Sequence, residues 1–115
     1  MLTKILHNPR CSKSRATLDL VKAQSADLEV VKYLESPPDA DELRSILNML
    51  GMSPRDLMRK GEAPYSELNL DDPTLDDSAL IDTMVQHPIL IERPIVVSNG
   101  QARIGRPPES VLEIL

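Results

Sequence analysis

Apolar and polar positions follow a strand-like period at both ends of the chain and a helical period in between. Thr3-Lys4-Ile5-Leu6 reads as a short strand, broken by His7-Asn8-Pro9-Arg10. Pro9 has no backbone donor and biases Asn8 away from helix, which predicts a turn. From Ser12 to Gln24, the apolar positions Ala16, Leu18, Leu20, Val21 and Ala23 predict an amphipathic helix starting at or near Cys11. The β-branched stretch Leu28 to Leu34 predicts a second strand, and strand–helix–strand over this length implies parallel pairing.

Pro37-Pro38 stops that strand, and the pattern turns helical. Asp39 and Asp41 can cap a helix through Leu43, Ile46, Leu47 and Leu50, ending at Gly51. Ser53-Pro54 opens a short helix over Leu57 and Met58. Residues 60–76 are polar, with Gly61, Pro64 and Pro73, and are expected to be mostly loop. Asp76 or Asp77 starts a helix with Leu80, Ile81, Met84 and Val85 on one face, ending before Pro88. Beyond Arg93-Pro94, Ile95-Val96-Val97 and Ala102-Arg103-Ile104 flank Asn99-Gly100, a strong hairpin signal. Glu109 to Leu115 completes the chain as a short helix with Val111, Leu112 and Leu115 facing inward.

The order β-α-β, helices, β-β-α predicts an α/β, thioredoxin-like (glutaredoxin-like) fold. Its sheet is mixed and four-stranded, with two parallel strands followed by an antiparallel hairpin. The chain reads as a single domain, 1–115, with a helical insertion at about 37–90.

With no Phe or Trp, the core must be aliphatic, and the usual base-stacking platforms for single-stranded nucleic acid are missing. The net charge of −5 argues against nucleic acid and anionic membranes as bulk partners. It leaves room for a small anion held by a local group of arginines. A lone cysteine excludes an intramolecular disulfide and a Cys-rich zinc site. The N-terminus, Met1 to Leu6, has no signal-peptide run, and no apolar run spans a bilayer, so a cytoplasmic protein is expected.

Cys11 falls where a strand meets a helix N-terminus, and the helix dipole and free amides there favour an anion such as a thiolate. Position alone leaves both a reactive thiol and a buried structural one open. His7, four residues earlier, could stabilise a thiolate when protonated or orient the loop when neutral. Asn8 can bond its own turn, and Ser12 and Ser14 can cap the helix or donate to the sulfur. His87 reads as structural. In Cys11-Ser12-Lys13-Ser14 the second position of a dithiol pair is serine, so any mixed disulfide on Cys11 must be resolved by another molecule. Arg59, Arg93 and Arg106 stand at element ends, and arginine suits bidentate binding of oxyanions.

The run His7-Asn8-Pro9-Arg10-Cys11-Ser12-Lys13-Ser14-Arg15 resembles the active-site loop of the glutaredoxin-coupled arsenate reductase (ArsC) family. The resemblance continues through Tyr33-Leu34-Glu35-Ser36-Pro37-Pro38, Leu57-Met58-Arg59-Lys60, Pro64-Tyr65-Ser66-Glu67-Leu68, the stretch Gln86 to Val97, and Arg106-Pro107. It implies a thioredoxin fold with a helical insertion. It also implies Cys11 as nucleophile, His7 as the histidine that lowers its pKa, Ser14 as a sulfur-bonding serine, and Arg59, Arg93 and Arg106 as oxyanion ligands. The family's plasmid-borne resistance enzymes usually carry Gly after the cysteine and a charged tail. Ser12 and an end at Leu115 place this chain nearer the YfgD-like branch.

The resemblance implies reduction of arsenate to arsenite through a covalent Cys11–arsenic adduct, with no bound cofactor, glutathione as co-substrate and glutaredoxin as partner. A monothiol oxidoreductase acting on glutathione mixed disulfides is the alternative. A redox regulator of the Spx type would use C-x-x-C, which Ser14 removes, and phosphatase-like arsenate reductases need C-x₅-R and further cysteines.

Three outcomes are expected. The Arg93–Pro94 peptide is cis, since proline entering the third strand of thioredoxin-like folds is cis beside the cysteine, although few X–Pro bonds are. The Cys11 thiol titrates well below the free-cysteine value, mostly because of the helix N-terminus, as ultraviolet absorbance against pH would report. His7→Ala shifts that equilibrium about tenfold toward the thiol, while Arg93→Ala weakens oxyanion binding more than it changes the pKa.

Overall fold

A computed structural model describes residues 2–25 and 27–115. Met1, part of the N-terminal stretch read above, lies outside the described residues, as does Ala26. The chain divides into two compact units, one made of the residues up to Ser36 with Arg93–Leu115, the other of Pro37–Glu92.

The first unit holds the sheet. Its strands are β1 (Thr3–His7), β2 (Leu28–Lys32), β3 (Ile95–Ser98) and β4 (Gln101–Ile104), with α1 (Ser12–Gln24) between the first two. They lie in the order β2-β1-β3-β4. β1 runs parallel to β2, with Ile5 opposite Val30, and antiparallel to β3, with Ile5 opposite Val96. β3 and β4 form the expected hairpin, and both Asn99 (φ 55°) and Gly100 (φ 71°) are left-handed, as its two-residue turn requires. This is the α/β, thioredoxin-like mixed sheet that the element order predicts.

The core of this unit is aliphatic: Ile5, Val21, Val96, Val111 and Ile114, flanked by Leu18, Leu28 and Leu115. Full burial of such a side chain contributes about 1.5–3 kcal/mol. The last element departs from expectation, because Pro108–Ile114 is a 3-10 helix rather than an α-helix. Three residues per turn put Val111 and Ile114 on one inward face and turn Leu112 outward, 42% exposed. The inward set expected for an α-helix, which included Leu112, is therefore wrong at that position. β2 is also shorter than expected; after Lys32 the chain turns, with the Glu35 and Ser36 amides bonded back to the Lys32 carbonyl.

The second unit is helical: α2 (Ala40–Leu50), α3 (Pro54–Leu57), α4 (Ala63–Glu67) and α5 (Asp77–Gln86), then a single 3-10 turn, Pro88–Leu90. Asp39, Ser53 and Asp76 cap α2, α3 and α5 through their side chains. Leu43, Ile46 and Leu47 of α2 and Leu80, Ile81 and Met84 of α5 are buried where the two helices pack. α4 lies within the stretch expected to be loop; Pro64 stands at its first turn, where a missing amide costs nothing. Among the described residues, no helix is long and apolar enough to cross a membrane.

The 3-10 geometry has a direct test. Ile114→Ala should lower unfolding free energy by about 3 kcal/mol, and Leu112→Ala by less than about 0.5 kcal/mol, in urea titrations. Equal losses would mean an α-helical end.

Candidate active site

Two periodicities meet at the end of β1. Side chains alternate along a strand, so Thr3, Ile5 and His7 share a face. Along α1 the buried positions are Ser14, Thr17 and Val21, a stripe at helical spacing. Ile5 and Val21 belong to one buried cluster, and two helical turns before Val21 along α1 Ser14 meets His7. Their side chains join at 2.7 Å, His7 Nδ1 to Ser14 Oγ. The Asn8 amide donates to the same hydroxyl oxygen at 3.0 Å.

The turn is bonded on its other side as well. Asn8 Oδ1 accepts from the Arg10 amide at 3.0 Å, and the Asn8 carbonyl accepts from the Cys11 amide at 3.0 Å. Arg15 reaches back to the Pro9 carbonyl at 2.9 Å. These bonds deliver Cys11 to the N-cap of α1 in an extended conformation, φ −97° and ψ 122°. The N-cap side chain is where a helix presents its unpaired amides, and here that side chain is a thiol. No acidic residue stands in the first turn of α1 to repel a negative sulfur.

Cys11 is 9% exposed, and burial pushes its thiol up. The Ser14 amide, the Arg93 guanidinium, the Lys13 amide and Arg106 act in the opposite sense and prevail, leaving the thiol below its ordinary value. The largest of these lowering influences is the Ser14 amide, a helix N-terminal group.

The two arginines arrive from the ends of the hairpin. Arg93 immediately precedes β3, and the Arg93–Pro94 peptide is cis; the Arg106–Pro107 peptide is cis too, which the sequence did not signal. Arg106 Nε donates to the Arg93 carbonyl at 2.9 Å, and its terminal nitrogen lies 3.6 Å from Cys11 Sγ. Cys11, His7, Ser14, Arg93 and Arg106 are thus gathered within the first unit. Arg59 belongs to the second. There its amide donates to the Leu90 carbonyl at 2.7 Å, and its guanidinium pairs with Glu62 at 2.7 Å and bonds the Ile89 carbonyl at 3.4 Å. His87 follows α5 as its C-cap. Among the described residues, no group of three or more His, Cys, Asp or Glu is clustered as a metal ligand set requires.

Two expectations change. Ser14 was expected to bond the sulfur, but its hydroxyl is engaged by His7 and Asn8, and it is the Ser14 amide that acts on Cys11. The family resemblance made His7 the histidine that lowers the thiol pKa, while its position also left open a neutral ring that orients the loop. Burial, helped by Lys22, Lys32 and Arg15, holds the pKa of His7 itself below the ordinary value against an opposing backbone interaction with Ser14. This disfavours the charged ring, and the hydrogen bond from Nδ1 to Ser14 Oγ ties His7 to the loop. Consequently Arg93, rather than His7, is the side chain that most favours the thiolate. Thr17 and Gly105, close behind this site, were not anticipated; the available signal was a polar residue three positions after Ser14 on the inner stripe.

The lowered pKa of buried His7 has a pH consequence. Its pKa is lower folded than unfolded, so between the two values the unfolded chain binds more protons and stability rises with pH. Urea midpoints should therefore fall as pH drops below about 6.5, the unperturbed histidine value. His7→Gln should flatten that part of the profile; an unchanged slope in the variant would contradict a buried neutral ring.

Known proteins share this arrangement of sequence and fold. The model of the ArsC family matches residues 6–114. Protein YfgD of Escherichia coli (strain K12) is 62% identical over 113 residues, covering 97% of this chain and 95% of that protein. A Neisseria meningitidis protein named arsenate reductase is 52% identical over 113 residues, covering 97% of each. A solved structure named arsenate reductase from Vibrio cholerae superposes with a TM-score of 0.95 at 55% identity, covering 100% of this chain and 98% of that one. With the family model spanning nearly its whole length and relatives this similar, the chain belongs to the ArsC family.

Proposed function

We propose that this protein is an arsenate reductase that uses Cys11 as its nucleophile. The observation that carries the proposal is the place of the sulfur: at the N-cap of α1, under the Lys13 and Ser14 amides, beside Arg93, and 3.6 Å from the Arg106 guanidinium. Such a cradle favours a thiolate and, next to it, the oxygens of a tetrahedral oxyanion. Identity of 52% to a protein named arsenate reductase supports arsenate as that oxyanion.

In this mechanism the Cys11 thiolate attacks arsenic, and an arsenate oxygen leaves as water after taking up protons. Arg93 and Arg106 balance charge on the remaining oxygens, and the family resemblance adds Arg59 to this role. The thiolate of glutathione then attacks Cys11 sulfur. The sulfur–arsenic bond breaks, its electron pair stays with arsenic, and arsenite departs. Cys11 is left in a mixed disulfide with glutathione. The chain has no second cysteine, so an external thiol must discharge it; a glutaredoxin thiolate fills that place, taking the glutathione into its own mixed disulfide and returning the Cys11 thiolate. His7 and Ser14 contribute by holding the loop. No metal or bound cofactor enters these steps, and a cytoplasmic location, with its glutathione pool, suits them.

A coupled assay tests this reading. With glutathione, glutaredoxin and glutathione reductase present, NADPH oxidation should depend on arsenate and vanish in Cys11→Ser. Turnover of a glutathionylated substrate without any arsenate dependence would overturn it in favour of a monothiol oxidoreductase. Within the site, Arg93→Ala should raise the Cys11 thiol pKa more than His7→Gln does, read from thiolate absorbance against pH. The reverse order would restore a charged histidine to the sulfur.

A further inference from the structure

Behind the sulfur, α1 touches the end of the hairpin at one point. Thr17 is fully buried, donates from Oγ1 to the Lys13 carbonyl at 2.8 Å, and lies 3.5 Å from the Gly105 carbonyl. Gly105 follows β4, and its amide donates to the Pro94 carbonyl at 2.9 Å. A Cβ at residue 105 would stand 2.4 Å from Thr17 Oγ1, 2.9 Å from Thr17 Cγ2 and 2.8 Å from Pro94 Cγ. These neighbours are a β-branched side chain on a helix and a proline ring, neither of which turns aside easily. Glycine is therefore required here for space.

The contact lies between the two halves of the sulfur's surroundings. Three residues before Thr17, Ser14 gives its amide to Cys11; one residue after Gly105, Arg106 reaches both Cys11 Sγ and the Arg93 carbonyl. We propose that Thr17 and Gly105 are positioning residues for the reaction, and that their close approach sets the distance from the N-terminus of α1 to the Arg93–Arg106 pair. Neither touches the sulfur. They act by fixing how near the guanidinium groups stand to the thiolate and to the oxyanion it attacks. The proposal rests on the arsenate reading only where it names the substrate, because the state of the sulfur is measured without one.

The test is a pair of substitutions read at the sulfur. Gly105→Ala should push the arginines away, moving the thiol titration to higher pH and raising the KM for arsenate about tenfold, the scale of one hydrogen bond to a charged group. The kcat should change less. Adding Thr17→Ala removes the Oγ1 and Cγ2 atoms that an alanine at 105 would strike. Pro94 Cγ would still stand 2.8 Å from that alanine, so the double variant should bring the titration only part of the way back toward wild type. Should Gly105→Ala fail to fold, Thr17→Ala alone serves, since it opens space and adds no clash; it too should raise the thiol pKa and the arsenate KM. A folded Thr17→Ala or Gly105→Ala protein with thiol titration and arsenate KM both within about twofold of wild type would overturn the proposal, as would equal titration shifts in Gly105→Ala and the double variant. If the wild-type protein shows no arsenate turnover, the titrations still decide the positioning role, and only the substrate reading falls.

Discussion

The site depends on one buried hydroxyl. Ser14 Oγ has no access to water, so both its donor and its acceptor capacity must be met inside the protein. His7 Nδ1 and the Asn8 amide meet them, at 2.7 and 3.0 Å. This oxygen accepts from the Asn8 amide and shares a hydrogen bond with the His7 ring, so the strand, the turn and the helix are tied at one atom. The rest follows from that tie: Cys11 is carried to the N-cap, and the amides of Lys13 and Ser14 turn toward its sulfur. One residue thus has two separate duties, with the Ser14 side chain holding the loop and the Ser14 backbone favouring the thiolate.

Charge is distributed on the same principle of local against global. The chain carries a net charge of −5, yet the first turn of α1 has no carboxylate, and Arg93 and Arg106 stand near Cys11. Burial opposes the thiolate, and short-range amides and guanidinium groups outweigh it. Because these influences are short-ranged, ångström-scale placement of the arginines matters, which is why a glycine packed hard on a threonine behind the site bears on the chemistry.

Much of this was legible in the sequence, for identifiable reasons. Helix caps at Asp39, Ser53 and Asp76 and the Asn99-Gly100 turn are local signals, and each forms as written. Cys11 at a strand–helix junction was legible too. What escaped was set by tertiary contact. The apolar pattern of α1 pointed to Ala16 and Ala23, which are exposed, whereas its inner face carries Ser14 and Thr17, polar groups made affordable by His7, Asn8 and the Lys13 carbonyl. Leu112 turns outward because the last helix winds at three residues per turn, a choice that composition does not reveal. The charge state of His7 also lay beyond the sequence, since it depends on burial and on Lys22, Lys32 and Arg15 rather than on its spacing from the cysteine.

The central claim is that the Ser14 hydroxyl is committed to a neutral His7, leaving the sulfur to backbone amides and arginines. Nitrogen-15 NMR of the His7 ring tests it most directly, because the two ring nitrogens report tautomer and charge separately. The account predicts a neutral ring at pH 7 with the proton on Nε2 and Nδ1 accepting a hydrogen bond, and a loss of that Nδ1 hydrogen-bond shift in Ser14→Ala. A ring charged at pH 7, or one with its proton on Nδ1, would contradict it.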